Sequence, residues 1–366
     1  MHIVYIISTL RRCGPTNLLY DVINHLPNNY QVSIITLSDE RENSRWTDFE
    51  TISTVKRIQK VNSNNSNLFI LGKAVKQMCV ELKPDVIHTQ GFRPDIISAI
   101  FLKNYKRVYN IQNYPYDDFV MQFGWKGYIM AFLNIYLLRN EKYVTVCSKY
   151  VKNKIEKSFN QPLHVVQNAV EIGFEERSEE DNNNLRKKLG FTTSDKIFVF
   201  AGNLIKRKNP IYLIRAFNEV NKSDTSLKLL ILGDGYLMNE CKELAKNNTS
   251  IIFVGNVNDV SNYYQISHYY ITASLSEGMP VSVLEALNHT LPVLLSNISQ
   301  HAEVVESIHS AGMLFDKENN IDLQNKIKDF IQRDYQQMQI DAVNAIKQQF
   351  NAKRMSTDFQ NLYNLN

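Results

Sequence analysis

Two carboxylates, Glu277 and Glu285, stand with seven residues between them in segment 276–287. The β-branched and aromatic run 269–274 before them is typical of a short strand, and Pro280 followed by helix-forming residues is typical of a helix start. Glu277 is therefore predicted to lie in a strand-to-helix turn. The amides of residues 281–283 would be left unpaired there, and such amides bind phosphate. Carboxylates beside them would accept hydrogen bonds from a hydroxyl-rich ligand.

Two other interpretations of this carboxylate pair are open from the residues alone. Glu277 would favour the helix start only through the helix dipole, with Glu285 as a solvated helix residue. Alternatively, two carboxylates at a defined separation are the acid and base of glycoside hydrolysis, although a phosphate-binding turn has no role in that reaction.

The residues around the pair favour a ligand site. Gly278, Met279 and Pro280 follow Glu277 directly, and Ala286 follows Glu285. The segment resembles the signature of the retaining glycosyltransferases of family 4, in which two Glu enclose seven residues and Gly-Phe/Met-Pro follows the first Glu. The resemblance implies the α/β GT-B fold, with two doubly wound Rossmann-like domains facing a central cleft. It also implies that Glu277 orients the donor sugar and that Glu285 holds the nucleotide ribose, with residues 278–281 (Gly278, Met279, Pro280 and Val281) lining the donor site.

Three consecutive cations, Lys206, Arg207 and Lys208, follow a predicted strand that ends at Ala201. From the residues alone they are either a solvated turn or a diphosphate site. The resemblance favours the second interpretation. Relatives carry a basic residue after the glycine at this strand end and a lysine five positions further on. Lys208 matches that lysine, whereas the first position here is Asn203.

The departure at Asn203 leaves two alternatives open: Arg207 compensates for the missing charge, or the donor pocket differs. The resemblance assigns Lys208 to stabilising the leaving diphosphate, and Arg207 joins it on the first alternative. Glu277, Lys208 and Arg207 are therefore the candidate catalytic residues. Asn203 remains a donor-side position.

Further glycines match landmarks of the family in the expected order. The run 230–235 ends in Gly-Asp-Gly, and Gly255 precedes Asn256 and Val257, whose backbone is predicted to approach the nucleotide base. Gly14 lies in the loop 8–17 after the first strand, where relatives place glycines beside the donor phosphates. The loop lacks G-x-G-x-x-G, so it is no dinucleotide fingerprint.

Four further polar side chains of the N-terminal half lie in the first loop or at predicted strand ends. Arg11 and Arg12 either reach a phosphate or are solvated. His88 is assigned to the sugar side by resemblance, although a structural strand-end residue is the expected role. Gln112 stands where relatives often carry His, so this position predicts a neutral hydrogen bond and no proton transfer.

Apolar strand-like runs alternate with helical patterns along the whole chain, which predicts parallel sheets with crossover helices. Residues 1–170 are predicted to form one domain, joined by a closing helix at 350–366 that resembles the family's. Residues 171–349 are predicted to form the nucleotide-sugar domain. The acidic stretch 175–184 is interpreted as linker and domain surface.

Charge separates the two halves of this 366-residue chain. Residues 1–170 hold 21 Lys and Arg against 13 Asp and Glu, whereas the remainder holds 20 against 24. The basic half suits anionic lipid headgroups, a phosphate-bearing acceptor or nucleic acid, or is merely a solvated surface. Residues 124–139 form an apolar aromatic helix candidate, predicted to be buried, with interfacial membrane contact as the alternative.

The sequence predicts a cytoplasmic protein. The N-terminus reads directly into a strand without a leader, and no apolar run reaches about 18 residues. The four cysteines are scattered and lack metal-ligand spacing, which predicts structural thiols. No Asp-x-Asp occurs, so activity is predicted without a metal or other cofactor.

The resemblance predicts a hexosyltransferase that moves a sugar, with retention, from a UDP- or GDP-sugar to a sugar hydroxyl of a glycan or lipid-linked acceptor. Its setting is predicted to be bacterial capsule, cell-wall or exopolysaccharide synthesis, in the cytoplasm or peripheral at the inner membrane face, without nucleic acid. The alternative is a noncatalytic GT-B homologue that binds a nucleotide or a partner enzyme, motivated by Asn203 and Gln112.

Overall fold

The computed structural model describes residues 1–40, 42–61 and 67–365. The chain divides into two compact α/β units. Unit 1 comprises Met1–Ala169 with Ala352–Asn366, and unit 2 comprises Val170–Asn351. Asn366, the last residue of the predicted closing helix, lies outside the described residues.

Within its described residues, unit 1 contains a seven-stranded parallel sheet of order β3-β2-β1-β4-β5-β6-β7. Its strands are β1 (His2–Ile7), β2 (Gln31–Thr36), β3 (Val55–Lys60), β4 (Val86–Gln90), β5 (Lys106–Ile111), β6 (Tyr143–Val146) and β7 (His164–Val165). In the central register, Ile3 lies opposite Val32 on one side and Val86 on the other. The strand order reverses beside β1, which is the topology of a doubly wound sheet.

The helices of unit 1 cover this sheet. They are α1 (Gly14–Asn24), α2 (Trp46–Glu50), α3 (Leu68–Leu82), α4 (Phe92–Phe101), α5 (Pro115–Phe123), α6 (Trp125–Leu138), α7 (Lys149–Ile155) and α16 (Ala352–Asn364), with a 3₁₀ turn at Glu156–Ser158. Helices α3, α4 and α6 pack in succession, α5 packs on α6, and α1 packs on α16. The closing helix therefore belongs to the same unit as the first strand.

Unit 2, all of whose residues are described, contains a six-stranded parallel sheet of order β10-β9-β8-β11-β12-β13. Its strands are β8 (Lys196–Ala201), β9 (Leu227–Leu232), β10 (Ile251–Gly255), β11 (Tyr269–Thr272), β12 (Val293–Ser296) and β13 (Gly312–Phe315). Side chains from β8, β9 and β11, including Phe198, Leu229 and Ile271, form the buried core beneath the helices. The order reverses between β8 and β11, and ligands of open α/β sheets bind beyond such a reversal.

Helices separate the strands of unit 2. They are α8 (Glu179–Lys188), α9 (Pro210–Val220), α10 (Met238–Ala245), α11 (Ser261–Tyr264), α12 (Val281–Asn288), α13 (Ser299–Val305), α14 (Asn320–Phe330) and α15 (Tyr335–Gln348). Short 3₁₀ turns occupy Lys206–Lys208 and His309–Ala311. The predicted fold class, α/β with two doubly wound units, is confirmed by the two sheet orders.

Three elements differ from the sequence-based expectation. The edge strand β3 was missed because its Val-Lys-Arg-Ile-Gln-Lys sequence is charged, as edge strands often are. The stretch 175–184, interpreted as linker and domain surface, includes the first part of helix α8, which Ser178 caps by accepting from the amide of Asp181. The first turn of α8 is acidic and its last turn is basic, which suits the helix dipole. This charge pattern in the sequence indicates a helix. Helix α6 is buried on one face only, so the prediction of burial was half wrong.

The four cysteines are free thiols, with Cys13 exposed and the other three buried. Burial raises the pKa of the Cys79 thiol to about 12. Over the part of the chain that is described, no helix combines the length and the apolarity needed to cross a bilayer.

Candidate functional site

The carboxyl ends of β8, β9 and β10 are joined by backbone hydrogen bonds. The Gly202 amide donates to Leu232 O at 3.0 Å, and the Gly233 amide donates to Gly255 O at 2.8 Å. A Cβ on Gly233 would lie 2.1 Å from Gly202 O, and the residue has φ of 126°. Only glycine permits this approach, so the glycine landmarks of the sequence form one connected edge of the sheet.

A second close approach fixes the loop that leaves β8. The Leu204 amide donates to Asp234 O at 2.9 Å, and Leu204 O accepts from the Leu237 amide at 3.1 Å. A Cβ on Gly235 would lie 2.4 Å from Leu204 O. The Gly-Asp-Gly sequence therefore clamps the loop and sets where the basic turn after it begins.

The three cations of the basic turn have different surroundings. Lys206 is exposed, and its amide donates to the Tyr236 hydroxyl at 2.8 Å. Arg207 O accepts from the amide of Leu275 at 2.8 Å, which ties the turn to the segment that leads into Glu277. Only Arg207 and Lys208 direct their charged groups to the predicted ligand turn.

The Glu277 carboxylate is held by both of these cations. Lys208 Nζ lies 2.6 Å from Oε1, and Arg207 Nη1 lies 2.6 Å from Oε2. Arg207 Nη1 also donates to Ser276 O at 2.9 Å. Glu277 is only 6% exposed. Burial alone raises the pKa of its carboxyl, but Lys208 and then Arg207 outweigh burial and hold that pKa well below its ordinary value.

Gln300, which was not predicted from the sequence, holds the backbone of Glu277. Gln300, on α13, is 3% exposed, and its Nε2 donates to Glu277 O at 2.6 Å. Neither the type of Gln300 nor its place after β12 signals this role, because the contact depends on how two loops approach. Gln300 fixes the backbone from which the carboxylate projects.

The neighbouring His301 is fully buried. Its Nδ1 lies 2.9 Å from Ser296 O, an acceptor, which places the proton on Nδ1. Ser296 Oγ donates in turn to Ser274 O at 2.6 Å. Burial lowers the pKa of His301 to about 4, so the imidazole is neutral at pH 7. This chain of contacts holds the end of β12 against the end of β11.

The start of α12 differs in one detail from the expectation. Pro280 is the N-cap, and the Val283 amide donates to Pro280 O at 3.1 Å. The predicted set of three unpaired amides was therefore wrong, because Val283 is already satisfied. In unit 2, whose residues are all described, the candidate phosphate-binding amides of α12 are then those of Val281 and Ser282. They follow the buried residues Gly278 and Met279.

Glu285 lies half-buried on α12, one turn beyond this start. The buried Tyr270 approaches the same helix, with its hydroxyl 2.8 Å from Ser282 Oγ. Burial raises the pKa of the Tyr270 phenol, and the charges of Glu277 and Glu285 raise it further. Glu277 precedes the helix start and Glu285 follows it, and the charges of both act on the same phenol.

The remaining donor-side residues lie at strand ends. Gly255 ends β10 with φ of 84°, followed by an exposed Asn256 and a half-buried Val257. Asn203 is exposed two residues after the end of β8. Gly14 lies in unit 1, where it begins α1.

The loop before α1 is held by neighbouring side chains. The Leu10 amide donates to the Glu40 carboxylate at 2.9 and 3.0 Å. Arg12 pairs with Asp48 at 2.8 Å, whereas Arg11 is exposed. Of the two arginines, Arg12 thus has a structural partner.

The structure places His88 in the interior of unit 1. It is 2% exposed, and its Nδ1 lies 2.6 Å from the hydroxyl of Tyr363 on α16. Burial lowers its pKa to about 3. This contact accounts for His88 structurally, and no ligand role follows from it. Gln112 is half-buried after β5, and its carbonyl accepts from Cys147 Sγ at 3.1 Å.

Within the described residues, no group of three His, Cys, Asp or Glu side chains is placed to hold a metal ion. Two largely buried cations, two amides and two carboxylates therefore surround a helix start in unit 2.

Two family models match this chain. The family described as Glycosyl transferases group 1 matches residues 181–349, and Glycosyltransferase Family 4 matches residues 13–174. The first match contains the whole of the site in unit 2.

Individual proteins are similar over different lengths. The O-antigen biosynthesis glycosyltransferase WclY of Escherichia coli is 22% identical over 385 aligned positions, covering 100% of this chain and 98% of that protein. The alpha-monoglucosyldiacylglycerol synthase of Streptococcus pneumoniae is 27% identical over 225 residues, covering 57% of this chain. That match spans about half of the synthase, 51% of its length.

The crystal structure of Anabaena Alr3699/HepE in complex with UDP and glucose superimposes with a TM-score of 0.81. It covers 100% of both chains at 18% sequence identity. At that identity the likeness is one of fold.

Proposed function

Because this chain belongs to the group 1 glycosyltransferases, with a family 4 match over its N-terminal half, we propose that it transfers a hexosyl group with retention of configuration. The donor is a UDP- or GDP-sugar, and the acceptor is a sugar hydroxyl of a glycan or a lipid-linked saccharide. The observation that carries the proposal is the pairing of Lys208 and Arg207 with Glu277 at the start of α12.

The charges of this cluster suit a leaving diphosphate. Two cations against one carboxylate leave one net positive charge in a largely buried place, where electrostatic interactions are stronger than in water. As the bond from the anomeric carbon to the diphosphate oxygen breaks, negative charge grows on that oxygen. Lys208, Arg207 and the amides of Val281 and Ser282 stabilise it without reorganising.

Glu277 has two roles in this proposal. Its low pKa keeps it ionised, so it accepts hydrogen bonds from donor-sugar hydroxyls while it orients both cations. Glu285 holds the ribose, and the backbone at Gly255, Asn256 and Val257 meets the base. The new bond forms on the same face of the sugar, and the acceptor proton passes to the leaving phosphate.

Arg207 is the proposed answer to the missing charge at Asn203. The Arg207 guanidinium pairs with Oε2 of Glu277, whereas Lys208 pairs with Oε1. Arg207 therefore brings a second cation to the turn. Restoring the family's cation by Asn203→Arg in an Arg207→Ala background tests this directly. Recovery of turnover supports compensation, whereas no recovery indicates a different donor pocket.

The decisive experiment is release of free nucleotide from a panel of sugar nucleotides. Lys208→Ala and Glu277→Ala should each lower turnover at least about a hundredfold, as loss of one preorganised charge does. Lys206→Ala, the neighbouring exposed cation, is the matched control and should retain turnover. Nucleotide binding without turnover on any acceptor would favour the noncatalytic alternative.

The proposal also covers the acceptor and the cellular setting. Relatives named for O-antigen biosynthesis and for glucosyldiacylglycerol synthesis support a glycan or lipid-linked acceptor in bacterial surface-polysaccharide or capsule synthesis. We propose catalysis at the inner membrane face, with peripheral membrane contact through the basic unit 1. Activity is expected to survive chelation by EDTA, and its loss would refute metal independence.

A further inference from the structure

Helix α6 exposes an apolar face that unit 1 leaves uncovered. Trp125, Tyr128, Ile129, Phe132 and Tyr136 recur at helical spacing, with Trp125 69% and Phe132 56% exposed. The opposite face is also apolar, and its Ala131 and Leu138 are fully buried. A helix that is apolar on all sides requires cover on both faces.

The distribution of exposed apolar side chains is uneven along the chain. In the described part of unit 1, apart from Met1 and Leu365 at the ends, large ones occur on α3 to α6 only. Those of unit 2 are isolated, such as Ile321 and Ile340. A contiguous patch marks a surface that meets another phase or partner, whereas isolated residues require no explanation.

The side chains on and beside this face favour an anionic bilayer as its occupant. Helix α6 carries no Asp or Glu, the acidic residues of α5 are in its first turn, and Glu141 is paired with Arg107 at 3.0 Å. Lys126 Nζ lies 5.9 Å from the Trp125 ring, and the Arg139 guanidinium lies 4.2 Å from the Tyr136 ring. Trp and Tyr beside Lys and Arg are the side chains that settle at the headgroup level of an anionic bilayer. A second copy of the face would bring like charges together.

The geometry permits adsorption and not spanning. Fourteen residues in α6 extend about 21 Å, which is shorter than the hydrocarbon core. Gly127 lets α6 sit directly against α5, since a Cβ there would lie 2.1 Å from Phe119 O. The same hairpin adds Met121 and Phe123 of α5 to the exposed surface.

We propose that this face of α6 docks on the surface of an anionic bilayer. Its aromatic rings lie at the boundary between headgroups and acyl chains, and Lys126 and Arg139 lie among the lipid phosphates. The inference rests on the proposed function in one respect: it assigns the surface by which the enzyme reaches a lipid-linked acceptor.

Vesicle sedimentation of the full chain tests the docking. Vesicles of phosphatidylcholine with phosphatidylglycerol should bind the protein, and vesicles of phosphatidylcholine alone should bind it less. Phe132→Glu should lower the partition coefficient between vesicles and water at least about tenfold. The reason is that the variant lacks the large apolar ring that the bilayer would remove from water. Ile321→Glu on α14 is the matched control, 67% exposed in unit 2, and should bind as the wild type does.

The tryptophan content supplies a direct readout. The chain has two tryptophans, Trp46 and Trp125, so Trp46→Phe leaves Trp125 as the only reporter. Its emission should shift to the blue on anionic vesicles and be quenched by brominated acyl chains. Emission unchanged at saturating lipid would overturn the proposal.

Measurements of turnover, folding and oligomeric state separate the outcomes. Lys208→Ala should lose turnover yet bind vesicles normally, and Phe132→Glu should retain turnover on a water-soluble acceptor, so the two proposals fail independently. Circular dichroism confirms that Phe132→Glu is folded. A dimer in light scattering that Phe132→Glu dissociates, without vesicle binding by the wild type, would assign the face to a second copy and refute docking.

Discussion

Lys208 Nζ lies 2.6 Å from Oε1 of Glu277, and this ion pair joins the loop after β8 to the loop after β11. The two strands are neighbours at the reversal of the sheet of unit 2. The pair is therefore a structural connection between two loops as well as the candidate catalytic charge.

Glu277→Gln should destabilise unit 2 by about 3 kcal/mol at pH 7, because it leaves Lys208 and Arg207 as largely buried cations without a counter-charge. The folded-state pKa of Glu277 is depressed, so its contribution is present above 4.5 and is lost as the pH falls below that value. The thermal unfolding midpoints of wild type and Glu277→Gln should differ most near pH 7, and the difference should narrow toward pH 3. A difference independent of pH would contradict the ionised state.

Gly233→Ala should impair both stability and nucleotide binding. The new Cβ meets Gly202 O at 2.1 Å in addition to the cost of φ at 126°. Gly173→Ala is the matched control, since Gly173 has φ of 86° and nothing within 4 Å of its Cβ position. The control should lose about 1 kcal/mol from backbone strain alone, and Gly233→Ala about 1–3 kcal/mol more.

Measurement of the unfolding midpoint and of nucleotide affinity by calorimetry separates the two glycines. Equal destabilisation of Gly233→Ala and Gly173→Ala would show that the close approach of the β8 and β9 ends carries no cost.

Gln300→Leu should lower turnover about tenfold or more, because the backbone of Glu277 loses its buried donor and the carboxylate loses its fixed position. The unpaired carbonyl should also cost about 1–3 kcal/mol of stability. Gln339→Leu is the control. Gln339 is half-buried, and its Nε2 donates to Thr290 Oγ1 at 3.2 Å, so the variant loses an amide of the same type and should keep its turnover. Steady-state kinetics on both variants decides, and equal turnover in the two would exclude a positioning role.

Asp95 predicts a pH dependence of opposite sign in unit 1. Its carboxyl is 3% exposed and accepts from Thr89 Oγ1 at 2.7 Å and from Asn134 of α6 at 3.4 Å. Burial raises its pKa from 3.8 to about 7, against these hydrogen bonds. Its contribution to stability is therefore complete below 3.8 and is lost as the pH rises through 7, with a slope of at most about 1.4 kcal/mol per pH unit.

Asp95→Asn should remove this slope, because the amide stays neutral at every pH. Denaturant unfolding at pH 5 and pH 8 measures it, and wild type should lose stability relative to Asp95→Asn at the higher pH. An unchanged difference between the two proteins would show that Asp95 is ionised throughout.

Much of the fold and part of the site follow from local sequence. Alternating apolar runs predict the strands because parallel strands are buried on both faces. Glycines at strand ends and Pro280 at a helix start are local backbone requirements, so Gly233, Gly235 and Gly255 were recognisable. The spacing of Glu277 and Glu285 likewise places both near one helix start before any contact is known.

Only the tertiary structure decides which partners these residues meet. Lys206 and Lys208 are the same residue type in one turn, yet only Lys208 reaches Glu277, because the turn is clamped by Gly235 and Leu204. Gln300 carries no sequence signal, since its contact depends on the approach of two distant loops. Helix α6 is apolar on all sides in sequence, and packing determines which face is covered. Periodicity and turn chemistry are properties of neighbouring residues, whereas the pairing of charges and the exposure of a face are properties of the packed chain.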